Sequence, residues 1–147
     1  MKKPSIFSAA CAAIVIAAAM PAVAQDMSKD MGQKDLGQTV TPTFNQPITN
    51  IPGKSLIAVV VDYAPGGASP SHVHAKSAFI FGYVLSGEIE SQVNDGPKRV
   101  YHAGESFYET PGSRHTISRN ASETKPAKLL AVFVVDTDDK ALTTPVQ

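Results

Sequence analysis

The chain has 147 residues, of which 43% are hydrophobic, and its 13 basic and 13 acidic residues give a formal net charge of zero. This length suits one domain with one modest core, and the balanced charge without a basic stripe argues against nucleic acid as a partner. The single cysteine, Cys11, lies near the N-terminus, so the remainder of the chain must fold without a disulfide.

Residues 1–24 have the three parts of a secretory signal peptide. A basic start, MKK, precedes the apolar run IFSAACAAIVIAAAM, and the small residues Ala22 and Ala24 suit cleavage after Ala24. The run is short for a membrane-spanning helix, although an uncleaved anchor is an alternative. Lipid attachment at Cys11 is disfavoured, because SAAC lacks the large aliphatic residue expected three positions earlier. We therefore expect a periplasmic or secreted protein, with no stable membrane insertion after cleavage.

The next residues predict a leader rather than a folded element. Residues 25–38 are polar, carry mixed charge and contain no β-branched or aromatic residue, which is typical of a flexible segment. Residues 39–54 contain three prolines and favour extended structure at the edge of a fold. We therefore divide the mature chain into a flexible leader and extended edge segment (25–50), a β-barrel (51–140) and a C-terminal tail (141–147).

From residue 55 onward, short β-prone runs alternate with turns. The runs are residues 55–63, 78–85, 88–93, 98–102, 105–109, 115–120 and 128–136. Turn signals such as NDGP and TPGSR separate them, and no helical period is visible in the mature chain. The pattern predicts an all-β sandwich or barrel, and the absence of an internal repeat indicates one such unit.

The segment GGASPSHVHAK contains His72 and His74 two positions apart. On a strand these two side chains share one face, because successive side chains point to opposite sides. Two neutral imidazoles on an inward face are a natural start for a first-row metal site. Taken alone, however, the pair is more typical of solvated or hydrogen-bonded strand residues. A metal site needs at least one further ligand from elsewhere in the chain.

The spacing around these histidines resembles the two sequence motifs of the small single-domain cupins. The residues in register are Gly66, His72, His74 and Gly87 in the first motif and Gly104, Gly112 and His115 in the second. The proline and asparagine of the second motif each fall one residue late, at Pro111 and Asn120. The resemblance extends over about residues 55–136.

This resemblance implies a jelly-roll β-barrel in which His72, His74 and His115 converge on one divalent metal ion (Fe, Mn, Zn, Ni or Cu). It also implies a small-molecule ligand or substrate and is compatible with a homodimer. The leading expectation is an exported metal-binding cupin, such as a small-molecule dioxygenase or a related metal-dependent enzyme. The alternatives are a non-catalytic cupin that binds a small ligand with or without metal, and a partner protein with a vestigial site. The barrel alone does not decide among them.

One departure from the cupin pattern concerns the metal ligands. The first motif usually supplies a glutamate after the second histidine, where this chain has Ala78 and Phe79, and counting back from the closing glycine gives Ile80. No acidic residue occurs between Asp62 and Glu88. We therefore expect three neutral histidines that leave the metal with its full charge and with open positions for water or an anion.

Other residues near the motifs are candidates for the site. Glu109 precedes the turn before His115 and is the alternative source of a carboxylate ligand. The residues expected to line an apolar pocket beside the metal are Phe79, Phe81, Tyr83 and Phe107, with Arg114 as a group that could steer an anion. His102 occupies no ligand position of the motifs and is expected at a solvated strand end.

Overall fold

The computed structural model describes residues 36–146, so the predicted signal peptide (1–24) and nearly all of the predicted leader lie outside the described residues. Residues 36–146 contain ten β-strands and no helix, which confirms the predicted all-β class. Over the same residues there is consequently no helix that could cross a membrane.

The strands follow the predicted runs closely. They are β1 (Gln38–Pro47), β2 (Lys54–Tyr63), β3 (His72–His74), β4 (Phe79–Ser86), β5 (Glu88–Val93), β6 (Arg99–His102), β7 (Ser106–Glu109), β8 (Arg114–Asn120), β9 (Ala127–Asp136) and β10 (Thr143–Pro145). Each of the seven predicted runs lies within one residue of an observed strand at both ends. The additional strands are β1, the short β3 that carries the histidine pair, and β10.

The strands form two antiparallel sheets of five strands each. The first sheet has the order β1-β2-β9-β4-β7, and the second has the order β10-β3-β8-β5-β6. The chain passes repeatedly from one sheet to the other, and the inward faces of both sheets enclose the core, as in a jelly roll. Alternate residues of β2 and β9, including Val61, Tyr63, Leu129 and Phe133, supply much of that core.

Two of the four edge strands, β1 and β10, contribute residues that line the cavity described below. Residues 38–47 form β1, an edge strand that pairs along its length with β2 and is largely exposed. Residues 143–145, within the segment assigned to a C-terminal tail, form β10, in which Thr143 pairs with His74 and Pro145 with His72. The C-terminal residues therefore lie directly beside the histidine-bearing strand.

Candidate metal centre

Three histidines meet between the two sheets. His72 and His74 share one face of β3, and the register of the antiparallel pair β3–β8 places His115 directly opposite His72. One nitrogen from each of the three rings lies within 4.8 Å of the others. His74 and His115 are almost fully buried, with 5% and 3% exposure, and His72 is half-buried. The structure thus brings together the three histidines that the motifs single out.

Hydrogen bonds hold two of these rings in orientation. His72 Nδ1 lies 2.8 Å from the Pro70 carbonyl oxygen, which can only accept, so Nδ1 carries the proton and Nε2 keeps its lone pair. His115 Nε2 lies 2.8 Å from Ser91 Oγ, which leaves Nδ1 as the nitrogen nearest the cluster. Such contacts to the far nitrogen of a metal-binding imidazole fix its tautomer and ring orientation.

Glu109 completes the cluster from the opposite sheet. Its Oε2 lies 3.0 Å from His74 Nε2, and its Oε1 lies 3.2 Å from His115 Nδ1. The Ser113 hydroxyl donates a long hydrogen bond of 3.4 Å to the same carboxylate. Only 3% of Glu109 is exposed. The structure therefore places a carboxylate, from the alternative source Glu109, beside two of the three histidines.

The position of Glu109 follows from strand pairing. On the first sheet Glu109 is the direct cross-strand partner of Ile80, the position reached by counting back from the closing glycine of the first motif. Paired residues point to the same face, so both side chains enter the barrel. The turn at 110–113 then carries the chain to the second sheet, where His115 faces Glu109. The carboxylate that the first motif lacks is thus supplied one strand away.

The two separations from Glu109 suit ligands of one divalent ion, whereas the widest histidine spacing is larger. Although Glu109 Oε2 is close to His74 Nε2, the contact lacks hydrogen-bond alignment, and neither ring nitrogen of His74 has a hydrogen-bond partner among the described residues. Two ligands about 2.1 Å from one ion lie about 3.0–3.4 Å apart when adjacent and about 4.2 Å apart when opposite. The separations from Glu109 fall within the first range. The widest spacing among the histidine nitrogens, 4.8 Å, would have to contract by about 0.6 Å to reach the second limit.

Electrostatics favour a charged carboxylate beside neutral imidazoles. Burial alone would raise the pKa of Glu109, but its contacts with His115 and His74 outweigh burial and lower the pKa to about 2. Burial lowers the pKa of His72 to about 4, partly opposed by the hydrogen bond to Pro70. At neutral pH the cluster therefore offers one anionic oxygen ligand and at least one neutral imidazole, the forms that bind metals.

A cavity of about 300 Å³ adjoins the cluster. Its lining includes the three histidines and Glu109, and its other walls include residues of β1, β2, β4, β9 and β10. The Phe133 ring lies 5.7 Å from the His74 ring, and the Phe107 ring lies 6.0 Å from the His115 ring. The cluster therefore faces a partly open and largely apolar space of the size that binds small ligands.

The predicted pocket residues were mostly wrong. Phe107 lines the cavity, but Phe79 and Phe81 are exposed on the outer face of β4, and Tyr83 shares that face. The inner face of β4 instead presents Ile80, Gly82 and Val84, because side chains alternate along the strand. Arg114 is exposed and does not line the cavity.

Some residues of the site were not predicted. Ser91 reaches His115 from the inner face of β5, and the alternation of EIESQV could have indicated its orientation. Tyr63 and Ser118 were also missed, and their hydroxyls bond to each other inside the barrel. His102 is solvated, with its ring 3.1 Å from Glu105, and takes no part in the cluster.

Comparisons with known proteins find similarity over the strands that carry this cluster. The family model described as "Cupin domain" matches residues 59–133. Germin-like protein subfamily 2 member 2 of Arabidopsis thaliana is 32% identical over 93 residues, covering 58% of this chain and 41% of that protein. Oxalate oxidase 2 of Hordeum vulgare is 36% identical over 93 residues, covering 54% and 41%. The chain spans less than half the length of these curated relatives.

Among solved structures, an oxalate oxidase in complex with the substrate analogue glycolate superposes with a TM-score of 0.54 at 28% identity. The superposition covers 69% of this chain and 53% of that one. The likeness therefore includes the barrel and extends over part of the other protein.

Proposed function

This chain belongs to the cupin family, and on that premise we propose that it binds one divalent metal ion and uses it to transform a small organic molecule. The ligands are His72, His74, His115 and Glu109. The observation that carries the proposal is the convergence of the three histidines beside a cavity, with the Glu109 carboxylate within 3.2 Å of His74 and His115. Imidazole and carboxylate donors together suit Mn, Fe, Ni, Cu or Zn.

The residues around the ion have separate tasks. When bound, a metal of this group polarises a coordinated oxygen or, if it is redox-active, exchanges electrons with the bound molecule. Pro70 and Ser91 hold the rings of His72 and His115, and Ser113 holds the carboxylate of Glu109. The apolar walls exclude water from the reacting molecule, which strengthens electrostatic interactions at the ion.

The reaction we propose is an oxidation of a small molecule, of the dioxygenase or oxidase type. The similarity to oxalate oxidases supports a redox reaction, although the chain matches only part of those proteins. A second function, ligand binding without turnover, is favoured by one observation. Among the described lining residues outside the metal cluster, Tyr63 is the only ionisable one, and burial raises its pKa, so proton transfer has few donors there.

Metal titration followed by turnover assays tests the proposal. The purified protein is stripped with a chelator and titrated by calorimetry with Mn(II), Zn(II) and anaerobic Fe(II), and elemental analysis reports the metal present after purification. We expect one ion per chain, and oxygen consumption with a small carboxylate in the Mn- or Fe-loaded form. Failure to take up any of these ions would refute the metal site. Uptake without turnover across a panel of small carboxylates would favour the binding function.

We also propose that the protein is exported, with its mature chain starting at Gln25. The support is the sequence of residues 1–24, with small residues at positions 22 and 24. Intact-mass spectrometry of the fraction outside the cytoplasm should give the mass of residues 25–147. A lipid-modified chain beginning at Cys11 would contradict a soluble exported protein.

A further inference from the structure

The charge inside the cavity is determined by few groups. Among the described residues that line it there is no lysine or arginine, and the only carboxylate is Glu109. If the proposed metal site is correct, a divalent ion and Glu109 together leave one net positive charge. A ligand with one negative charge neutralises it, whereas a dianion leaves a net negative charge in a largely apolar space. Burying an uncompensated charge is strongly unfavourable.

Apart from the ligands, most of the wall is hydrocarbon. The apolar side chains that face the cavity from the core strands are Val59, Val61, Ile80, Leu129, Ala131 and Phe133. The cavity volume, about 300 Å³, is at the lower end of the range for small-ligand sites. A ligand that filled this space with carbon would gain from apolar burial, whereas a molecule made almost entirely of carboxylate oxygens would leave the wall without partners.

The polar part of the wall is a chain of neutral groups. Ser69 Oγ donates to Gln38 Oε1 over 2.6 Å, so the Tyr63 hydroxyl, 2.7 Å from Ser69 Oγ, must donate to Ser69. Ser118 Oγ lies 2.9 Å from the Tyr63 oxygen and then donates to it. The hydroxyl hydrogens of these three residues are therefore already used in hydrogen bonds. The hydrogen-bonded series also contains no cation that could bind a second carboxylate. It can still accommodate a neutral polar group, for which Gln38 keeps an amide donor.

The exposed lining residues mark the entrance. Val40 on β1 and Thr143 and Pro145 on β10 line the cavity and are exposed, and none of them carries charge. The mouth thus offers no compensation for a second negative charge either.

From these observations we propose that the site selects small monoanions with an apolar body and discriminates against dianions such as oxalate. One negative group would bind at the metal, and the hydrocarbon part would lie against β2 and β9. In this respect the ligand would differ from the dianion named for the oxalate oxidases that the chain resembles.

Matched carboxylates test the charge and the apolar body separately. The purified protein is loaded with Co(II), whose visible spectrum reports ligands at the metal, and titrated with hexanoate, adipate, acetate and hexanamide. Adipate differs from hexanoate by one additional carboxylate, and we expect it to bind at least about tenfold more weakly. Each buried CH₂ group is worth about fourfold in affinity, so hexanoate should bind at least about tenfold more tightly than acetate even with incomplete burial. Hexanamide, without charge, should bind more weakly than hexanoate.

A charge placed at the mouth provides a second test. Thr143→Lys introduces a cation on a residue that lines the cavity opposite His74, whereas Thr144, the next residue of β10, does not line it. Thr143→Lys should improve adipate affinity relative to hexanoate by at least about fivefold. Thr144→Lys, the matched control, should leave the ratio of adipate affinity to hexanoate affinity at its wild-type value.

The outcomes separate this inference from the metal site itself. Absence of uptake of Co(II) and of Mn(II), Zn(II) and Fe(II) refutes both, because the positive charge comes from the metal. With Co(II) bound, equal affinities for adipate and hexanoate overturn the charge selection, and equal affinities for acetate and hexanoate overturn the apolar body. A Thr143→Lys variant with the wild-type ratio would place the second carboxylate away from the mouth and contradict the proposed geometry.

Discussion

Replacing Glu109 by glutamine should separate a metal ligand from a residue that only fills the barrel. Glutamine keeps the length and nearly the volume of the side chain but removes its charge. It can still accept a hydrogen bond from Ser113, as the carboxylate does. The variant therefore tests the contribution of one negative charge between His74 and His115, without creating a cavity.

The contacts of Glu109 give the size of the expected effect. The carboxylate is almost fully buried, and its pKa of about 2 means that it is ionised throughout the neutral range. Removing one partner of a buried charge pair costs about 3–5 kcal/mol, which corresponds to a loss of affinity of roughly 10²–10³-fold or more. We expect a loss of this size for Mn(II) or Zn(II) in Glu109→Gln.

Exchanging the two cross-strand partners extends the test. Ile80 and Glu109 are buried at paired positions of β4 and β7, with 1% and 3% exposure. The double variant Ile80→Glu, Glu109→Ile returns the carboxylate to the strand that the cupin pattern uses. It should recover at least about tenfold of the affinity lost in Glu109→Gln, because paired residues on one face have Cβ atoms about 5 Å apart.

Calorimetric metal titration, with thermal unfolding as a check of folding, measures both variants. Glu105→Gln is the matched control, since Glu105 also lies 3.1 Å from a histidine nitrogen, but at the surface. Its metal affinity should equal that of the wild type. If folded Glu109→Gln binds metal within about threefold of the wild type, a difference of less than 1 kcal/mol, the carboxylate is not a ligand.

Three further predictions concern the rest of the site. His115→Ala should abolish most divalent metal binding whereas His102→Ala should not, and equal affinities by calorimetry would contradict the assignment of ligands. Burial lowers the pKa of His72 from about 6.5 in the unfolded chain to about 4 in the folded, metal-free chain. Between about pH 4 and about 6.5, His72 is therefore protonated in the unfolded chain and neutral in the folded chain. Stability should therefore fall on acidification across this window by up to about 3 kcal/mol, and urea unfolding of the wild type and His72→Gln should diverge with pH. Gly82→Ala would place a Cβ 2.6 Å from the Phe107 ring. It should destabilise the fold by about 1–3 kcal/mol, and a loss below about 0.5 kcal/mol, typical of a surface substitution, would show that the ring moves freely.

The strands were predictable because their signals are local. Runs of β-branched and aromatic residues between turn residues locate β2, β4 and β9 to within one residue, and no knowledge of the partner strand is needed. The histidines were also accessible, because His72 and His74 share a face by alternation alone and His115 falls at a fixed motif spacing. What alternation does not determine is which of the two faces of a strand is turned inward.

That limitation accounts for the misplaced aromatic residues of β4. The segment FIFGYV has aromatic residues on one face and Ile80, Gly82 and Val84 on the other, so hydrophobicity favours the aromatic face as the interior. The structure turns the other face inward, and there the Phe107 ring from the neighbouring strand packs against Gly82, where a Cβ would collide. A glycine on one face of an otherwise bulky strand can indicate such a close approach, but the identity of the approaching residue depends on pairing between distant segments.

The missing carboxylate has the same origin. A motif is read along the chain, and along the chain there is no acidic residue near position 80. In the barrel, however, the adjacent strands β4 and β7 turn the paired side chains of Ile80 and Glu109 toward the same interior. Ile80 and Glu109 are paired across β4 and β7, and it is the carboxylate on β7 that lies beside His74. We therefore expect a carboxylate at position 80 to reach the same histidines, and the exchange of Ile80 with Glu109 tests that equivalence directly.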